Sequence, residues 1–316
     1  MGNIITRTDA EALIPVEESR GIIQAITQDS STLSLMRKLP NMTSKQQKMA
    51  ILSALPVAGF VSGDNGLKAV SSAAWKNKYI TAEEIAVIIP IPEAVLDDAE
   101  YDIWGELKPV IISEFGRVID SAVLFSVDKP ETWPSGIVTE AITKNKAVEY
   151  GSGMDIADDI NSLMGIVEGD GFDVSGFAGS IGLKSSLRGL RDQNGGLLFQ
   201  PSLQADTPST LYSQPISYVK NNSWNNTTAR LVGGDWNQAV YAIRQDMTYK
   251  VLDQAVISDS DGKIIYNLAQ QDMVALRCVM RLGWQLPNPI TAIGGENRYP
   301  FAVLTPKTTT PSGGGD

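Results

Sequence analysis

The 316-residue chain contains no histidine and a single cysteine. Without histidine, Ser-His-Asp and Cys-His nucleophilic sites and His-ligated zinc are excluded together. Any catalysis would have to run on carboxylates, lysine or tyrosine. The lone cysteine, Cys278, lies in the apolar run 273–282, so no intramolecular disulfide can form, and a buried, inert thiol in a reducing compartment is expected. No run approaches the roughly 20 apolar residues of a membrane-spanning helix. Nor does a basic block stand out: 26 lysines and arginines against 36 acids leave a net charge of -10, whereas binding by phosphate neutralisation needs clustered cations. The first residues also lack the charged-then-apolar pattern of a secretory signal.

What is present is an ordinary folding composition, 43% hydrophobic and 20% charged, in a chain long enough to bury a core without covalent help. Residues 1–48 read as an extended, partly helical arm in which Ile22, Ile23, Ile26, Leu33, Leu35 and Met36 are scattered anchors. Residues 51–78 mix small residues with the turn-rich Ser62-Gly-Asp-Asn-Gly66, which predicts two strand-like arms around a hairpin tip, too poor in apolar side chains to be buried in their own subunit. The Ile- and Val-rich stretch 79–92 reads as one strand, leading into an acidic helix start at 93–100. Apolar residues at three- and four-residue spacing (Leu107, Ile111, Phe115, Ile119, Val123) predict a long helix over 102–127, kinked or reset by Pro109.

A Pro- and Gly-containing loop follows at 128–137, then helices at 154–165 and around 180–190, and a Gly-rich loop at 192–196. Strands dominate the last third, including a hairpin turn at Asp259-Ser-Asp-Gly262 and a strand over 273–282. Helices and strands in non-periodic order indicate an α+β protein, not a doubly wound sheet. Residues 306–316, without an apolar side chain, are expected to be a disordered tail.

The candidates for chemistry read as structure. The stretch 168–173 lacks the alternating ligands of a calcium loop and is expected to be a solvated turn, as are Asp259, Asp261 and Gly262. The adjacent acids Glu83 and Glu84, and Asp97 and Asp98, point apart on any regular backbone and suit a solvated face. Gly176 to Gly182 has neither dinucleotide nor Walker spacing. The sequence Gly233-Gly234-Asp235-Trp236 has no following lysine or helix N-cap pattern. It reads as a tight turn into a strand over 239–249, with Trp236 in the core and the glycines supplying unusual backbone angles. No catalytic constellation, cofactor site or metal site emerges.

The order of features carries more than any one of them. Ile89-Pro-Ile-Pro-Glu-Ala-Val-Leu-Asp-Asp-Ala99, the long helix with its exit Pro134-Ser-Gly-Ile137, Gly233 to Trp236, and Asp272-Met-Val-Ala-Leu-Arg-Cys-Val-Met-Arg-Leu-Gly283 together resemble the major capsid proteins of tailed bacteriophages, the Hong Kong 97-like fold, over residues 20–300. The resemblance implies an N-terminal arm (1–48), an extended loop lying across a neighbouring subunit (49–78), a peripheral domain with a spine helix (79–152 and 272–305), an axial domain meeting its copies at five- and six-fold axes (153–271), and a tail (306–316). Phe60, Lys68, Trp75 and Lys76 of the extended loop are then expected to make inter-subunit contacts.

By the same resemblance the function is that of a virion shell around double-stranded DNA, assembled in the host cytoplasm from hexamers and pentamers, with no cofactor. The expected partners are other copies of the chain, a portal, a decoration protein, and a separate scaffolding protein or none, since Met1 precedes the arm almost directly. Some family members join subunits by a lysine-asparagine isopeptide bond. Here the positions matched to the asparagine and its assisting glutamate are Asp272 and Val279, so non-covalent contacts are expected. An encapsulin-type compartment would share the resemblance, and a hydrolase working with two distant carboxylates is a reading of a different class.

Overall fold

A computed structural model describes residues 29–56, 74–97, 103–189, 210–259, 261–293, 295 and 297–307. Its helices are α1 (Ser31–Leu35), α2 (Glu93–Asp97), α3 (Ile103–Phe125), α4 (Ile137–Thr143), α5 (Ile156–Gly169) and α6 (Leu183–Arg188). Its strands are β1 (Arg37–Lys38), β2 (Gln46–Ala54), β3 (Ala74–Thr81), β4 (Glu83–Pro92), β5 (Ala147–Glu149), β6 (Gly176–Ser180), β7 (Thr210–Leu211), β8 (Gln214–Val219), β9 (Leu231–Gly234), β10 (Val240–Leu252), β11 (Val256–Ser258), β12 (Ile264–Asn267), β13 (Met273–Gln285) and β14 (Phe301–Thr305).

These strands form a four-stranded sheet ordered β1-β10-β13-β4, a six-stranded sheet ordered β5-β14-β9-β6-β8-β7, and two free-standing hairpins, β2-β3 and β11-β12. The six-stranded sheet buries both faces: Ala178, Val232, Phe301 and Val303 share one core with α3 and the four-stranded sheet, and the opposite face packs under α5. Ile111, Phe115, Ile119 and Val123 on one face of α3 pack with Leu276, Cys278, Met280 and Leu282 of β13, every second residue of that strand. Ile160, Leu163 and Val167 of α5 pack with Phe177, Leu231 and Leu304 of the six-stranded sheet.

The α3 pattern is as the spacing predicts, and the helix runs through Pro109. Other boundaries move. The single strand expected over 79–92 is two, separated at Ala82, whose N–H donates to the Lys45 carbonyl. The helix expected at 154–165 is displaced to Ile156–Gly169, because Asp155 caps it by accepting from the Ala157 and Asp158 amides.

Strand pairing also crosses the expected division at residue 271. β10, expected with 153–271, pairs along β13, while β14, expected with the segment 272–305, pairs with β5 and β9 in the six-stranded sheet. The two sheets also share a core, so the packing does not divide at residue 271. The Glu168 to Asp173 segment is not a solvated turn throughout, since Asp170 is buried and ion-paired to Lys146. Residues 192–196, 57–73, 1–28 and 308–316 lie outside the described residues.

The Gly233-Gly234 reading needs a different reason. Both residues are in β9, buried, and neither has a positive φ. What excludes a side chain is space: a Cβ on Gly233 would lie 2.7 Å from Leu163 and 2.8 Å from Phe177, and one on Gly234 would lie 2.8 Å from Phe301 Cα, with the Pro300 carbonyl oxygen nearer still. The turn follows them. Asp235 does cap, accepting from the Asn237 amide and the Gln238 side chain at the head of the 3-10 turn Trp236–Gln238. Trp236 is buried as expected, its indole N–H donating to the Gly176 carbonyl at 3.0 Å and its ring meeting Phe301 edge-on.

Candidate assembly surfaces

The β2-β3 hairpin is antiparallel from Gln46↔Thr81 to Ala54↔Ala74, the two arms predicted around the Ser62 to Gly66 tip, which itself lies outside the described residues. Its base is the buried part, while further along β2 the Ile290 amide donates to the Leu52 carbonyl at 3.4 Å. Ile80 and Ala82 are buried with Met42, Val240 and Ala242, and Met49 packs on this cluster. Bare Gly283 allows that approach, because a Cβ there would lie 2.7 Å from Ile80 Cγ2. Polar contacts add to the anchor: Lys78 Nζ donates to the Leu286 carbonyl at 2.7 Å, Gln285 Nε2 to the Tyr79 carbonyl at 2.9 Å, and Trp133 Nε1 to the Thr81 carbonyl at 3.2 Å. Burial holds the Lys78 ammonium below its usual pKa.

Away from the base, the described residues 50–56 and 74–77 include no buried side chain. Trp75 is 66% exposed and Tyr79 46%. An indole left open on a two-stranded ribbon is worth about 3 kcal/mol if another surface covers it. Lys76 is exposed beside it. Ile51, Leu52 and Lys76 form one wall of a cleft of about 550 Å³, opposite Pro287, Ile290 and Arg298. Phe60 and Lys68, also expected to make contacts, lie outside the described residues.

A second surface was not singled out from the sequence. β11 and β12 pair only with each other around the Asp259 to Gly262 turn, where Gly262 has φ +79° and Asp259 Oδ1 accepts from the Asp261 and Lys263 amides. Val251, Val256, Ile264 and Ile265 around this hairpin are 49–60% exposed. The signal was available: Val256, Ile264 and Ile265, three exposed β-branched aliphatic residues, flank an Asp-Gly turn on strands of three and four residues, too short to enclose them.

The remaining candidates are structural. Glu84 Oε2 accepts from Arg281 Nε at 2.7 Å across β4 and β13, and Glu83 accepts from Thr132 and lies 4.0 Å from Lys45. Asp98 is outside the described residues. Among the described residues no group of three or more His, Cys, Asp or Glu is placed to hold a metal ion, and no helix is long and apolar enough to cross a membrane. Cys278 is fully buried, and burial pushes its thiol pKa up to about 11.

This architecture has close counterparts. The model of the phage capsid family matches residues 10–293. The major capsid protein of Staphylococcus phage 80alpha is 25% identical over 283 residues, which are 89% of this chain and 83% of that protein. A solved structure from Microbacterium phage Oxtober96 is similar with a TM-score of 0.79 and 39% identity, covering 96% of this chain and all of the other. One from Mycobacterium phage Cain gives 0.78 and 31%, covering 98% of this chain and all of the other. The chain therefore belongs to the phage capsid family, and it is a major capsid protein, a structural component of the virion.

Proposed function

We propose that the chain closes into an icosahedral shell of hexamers and pentamers around double-stranded DNA, with the β2-β3 hairpin laid across a neighbouring subunit. The observation that carries this is the hairpin itself. It is firmly seated at Ile80 and Ala82, yet Trp75 is 66% exposed and none of the described residues 50–56 and 74–77 is buried. An exposed indole of this kind gains burial on association, so cover of Trp75 and assembly are linked by mass action. The exposed aliphatic face of β11-β12 is a second surface suited to a neighbouring copy.

In this reading the four-stranded sheet with α3 as its spine is the peripheral domain, and the six-stranded sheet with α5 and α6 is the axial domain. Assembly takes place in the host cytoplasm, with a portal and a separate scaffolding protein as partners and a decoration protein on the finished shell. The shell is held without covalent cross-links: Lys78 is occupied by the Leu286 carbonyl, and Val279 is a buried apolar residue that cannot serve as a base.

Negative-stain electron microscopy of the purified chain, alone and co-expressed with its genomic neighbours, tests the reading. Uniform closed shells or capsomer rings are expected, and deleting residues 57–75 should leave a folded subunit that forms neither. A chain that stays monomeric under every condition, or a deletion variant that assembles normally, would contradict it. Ladders of linked subunits on a denaturing gel of assembled particles would overturn the non-covalent shell.

A further inference from the structure

Successive side chains of the four-stranded sheet alternate between its two faces. Cys278 and Met280 of β13, Tyr249 of β10, and Val87 and Ile89 of β4 pack into the core with α3, so Arg277, Arg281, Lys250 and Ile88 point the other way. The base of the β2-β3 hairpin covers one end of that second face, where Ile80 packs with Val240 and Ala242 and over Gly283. Beyond this end Glu84, Ala86 and Ile88 of β4, Thr248 and Lys250 of β10, and Arg277 of β13 are exposed.

Two rows that cross this face differ in charge. In one, Glu84 lies opposite Arg281 and accepts from its guanidinium, so the row is neutralised within the sheet. In the other, Lys250 lies directly opposite Arg277, and the next residue across is Ile88, 42% exposed. Among the described residues neither cation has an ion pair. Like charges set directly opposite each other destabilise a ladder, so folding of the subunit gives no reason for this pair. Arg244 is a third cation without an ion pair among the described residues, in a cleft of about 330 Å³ that it lines with Lys45, Glu83, Glu84 and Arg281 at the base of the hairpin. The acids nearby are engaged: Glu83 accepts from Thr132 and lies 4.0 Å from Lys45, and Asp246 in the bulged part of β10 has Lys38 as its neighbouring cation. This local surplus of cations sits on a chain in which acids outnumber bases by 36 to 26.

We propose that this face is an interface between copies of the chain, in which Lys250 and Arg277 receive carboxylates of a neighbouring subunit and Ile88 is covered. This rests on the shell reading above. Charge complementarity identifies the occupant, since each copy offers an excess of acids, and the face is continuous with the base of the hairpin, itself a candidate assembly surface. An exposed aliphatic side chain in the cationic row, with Glu84 on the same face, suits a protein surface and not the phosphate backbone of DNA. In the free subunit the two cations repel. A carboxylate set between them replaces that repulsion by two attractions, so the gain is realised only on assembly.

The test is charge reversal in the full-length chain, with the subunit and its assembly read separately. Lys250→Glu turns the like pair into an opposite one. The melting temperature of the unassembled subunit is expected to rise by about 1–3 °C, while sedimentation velocity shows about tenfold weaker association. Arg277→Glu makes the same opposite pair from the other strand and serves if Lys250→Glu does not fold. Combining the two restores a like pair of the other sign, so the melt returns to that of the wild type and association weakens further. A more stable subunit that associates less well is an outcome that damage to the fold cannot produce. A stabilised Lys250→Glu chain that assembles like the wild type would overturn the interface, as would an unchanged melt, which would mean that the two cations do not interact. Wild-type assembly combined with lost binding to a short DNA duplex would make DNA the occupant and overturn it too. In each of these cases the wild type still forms shells and the shell reading stands; a wild type that never assembles would bring down both.

Discussion

Lys146 Nζ lies 2.7 Å from one carboxylate oxygen of Asp170 and 2.9 Å from the other, with both side chains more than four-fifths buried. Asp170 also accepts from the Tyr299 amide at 2.9 Å. The pair therefore joins the residue before β5, the end of α5 and the approach to β14, three elements far apart in sequence.

Removing the acid strands a buried ammonium and an unpaired amide. Asp170→Ala is expected to lower unfolding free energy by about 3 kcal/mol, measured by urea denaturation. A change within about 0.5 kcal/mol, the range of an ordinary surface substitution, would show that the pair contributes nothing net.

Two glycine-to-alanine substitutions should have opposite signs. Gly234→Ala drives a methyl group into the Pro300-Phe301 backbone and should cost at least about 2 kcal/mol. Gly165, exposed inside α5 with nothing within 4 Å of a new Cβ, should stabilise the protein by about 0.5–1 kcal/mol as alanine. Thermal melts of the two variants decide it. A harmless Gly234→Ala would refute the close-approach argument.

The β11-β12 face should matter for association and not for folding. Replacing Val256 and Ile264 together by serine removes exposed apolar surface only. The melting temperature of the subunit is expected to stay within about 2 °C, in keeping with surface substitutions, while sedimentation velocity shows fewer assembled species. Equal assembly by both proteins would remove this hairpin from the interface.

Burial pushes the Cys278 thiol pKa from its ordinary 9.0 up to about 11 in the fold. Because the folded pKa is the higher one, the contribution to stability is fully present below pH 9 and is lost as pH rises from 9 towards 11. Iodoacetamide at pH 8 should leave the native chain unmodified and label it fully in urea. Rapid native labelling would mean the thiol is reached by solvent.

Much of this protein is written in local pattern. Three- and four-residue spacing placed α3 within two residues at its C-terminal end, an apolar run placed most of β13, and Asp-Gly marked the β11-β12 turn, because each depends on neighbours in sequence. The absence of histidine and the shortage of clustered cations removed whole classes of chemistry for the same reason: they depend on which side chains exist, not on where they are. The tertiary structure decided what depends on distant partners. Asp120 looks like any polar residue in an amphipathic helix until Ser30, Thr32 and Asn221 are folded onto it, and Asp170 looks like a turn acid until Lys146 arrives. Gly233 and Gly234 are required by side chains and backbone from α5, β6 and β14, which no local backbone argument contains. Sheet membership is likewise long-range: β10 pairs with β13, and β14 with both β5 and β9, because a strand's partner need not lie near it in sequence.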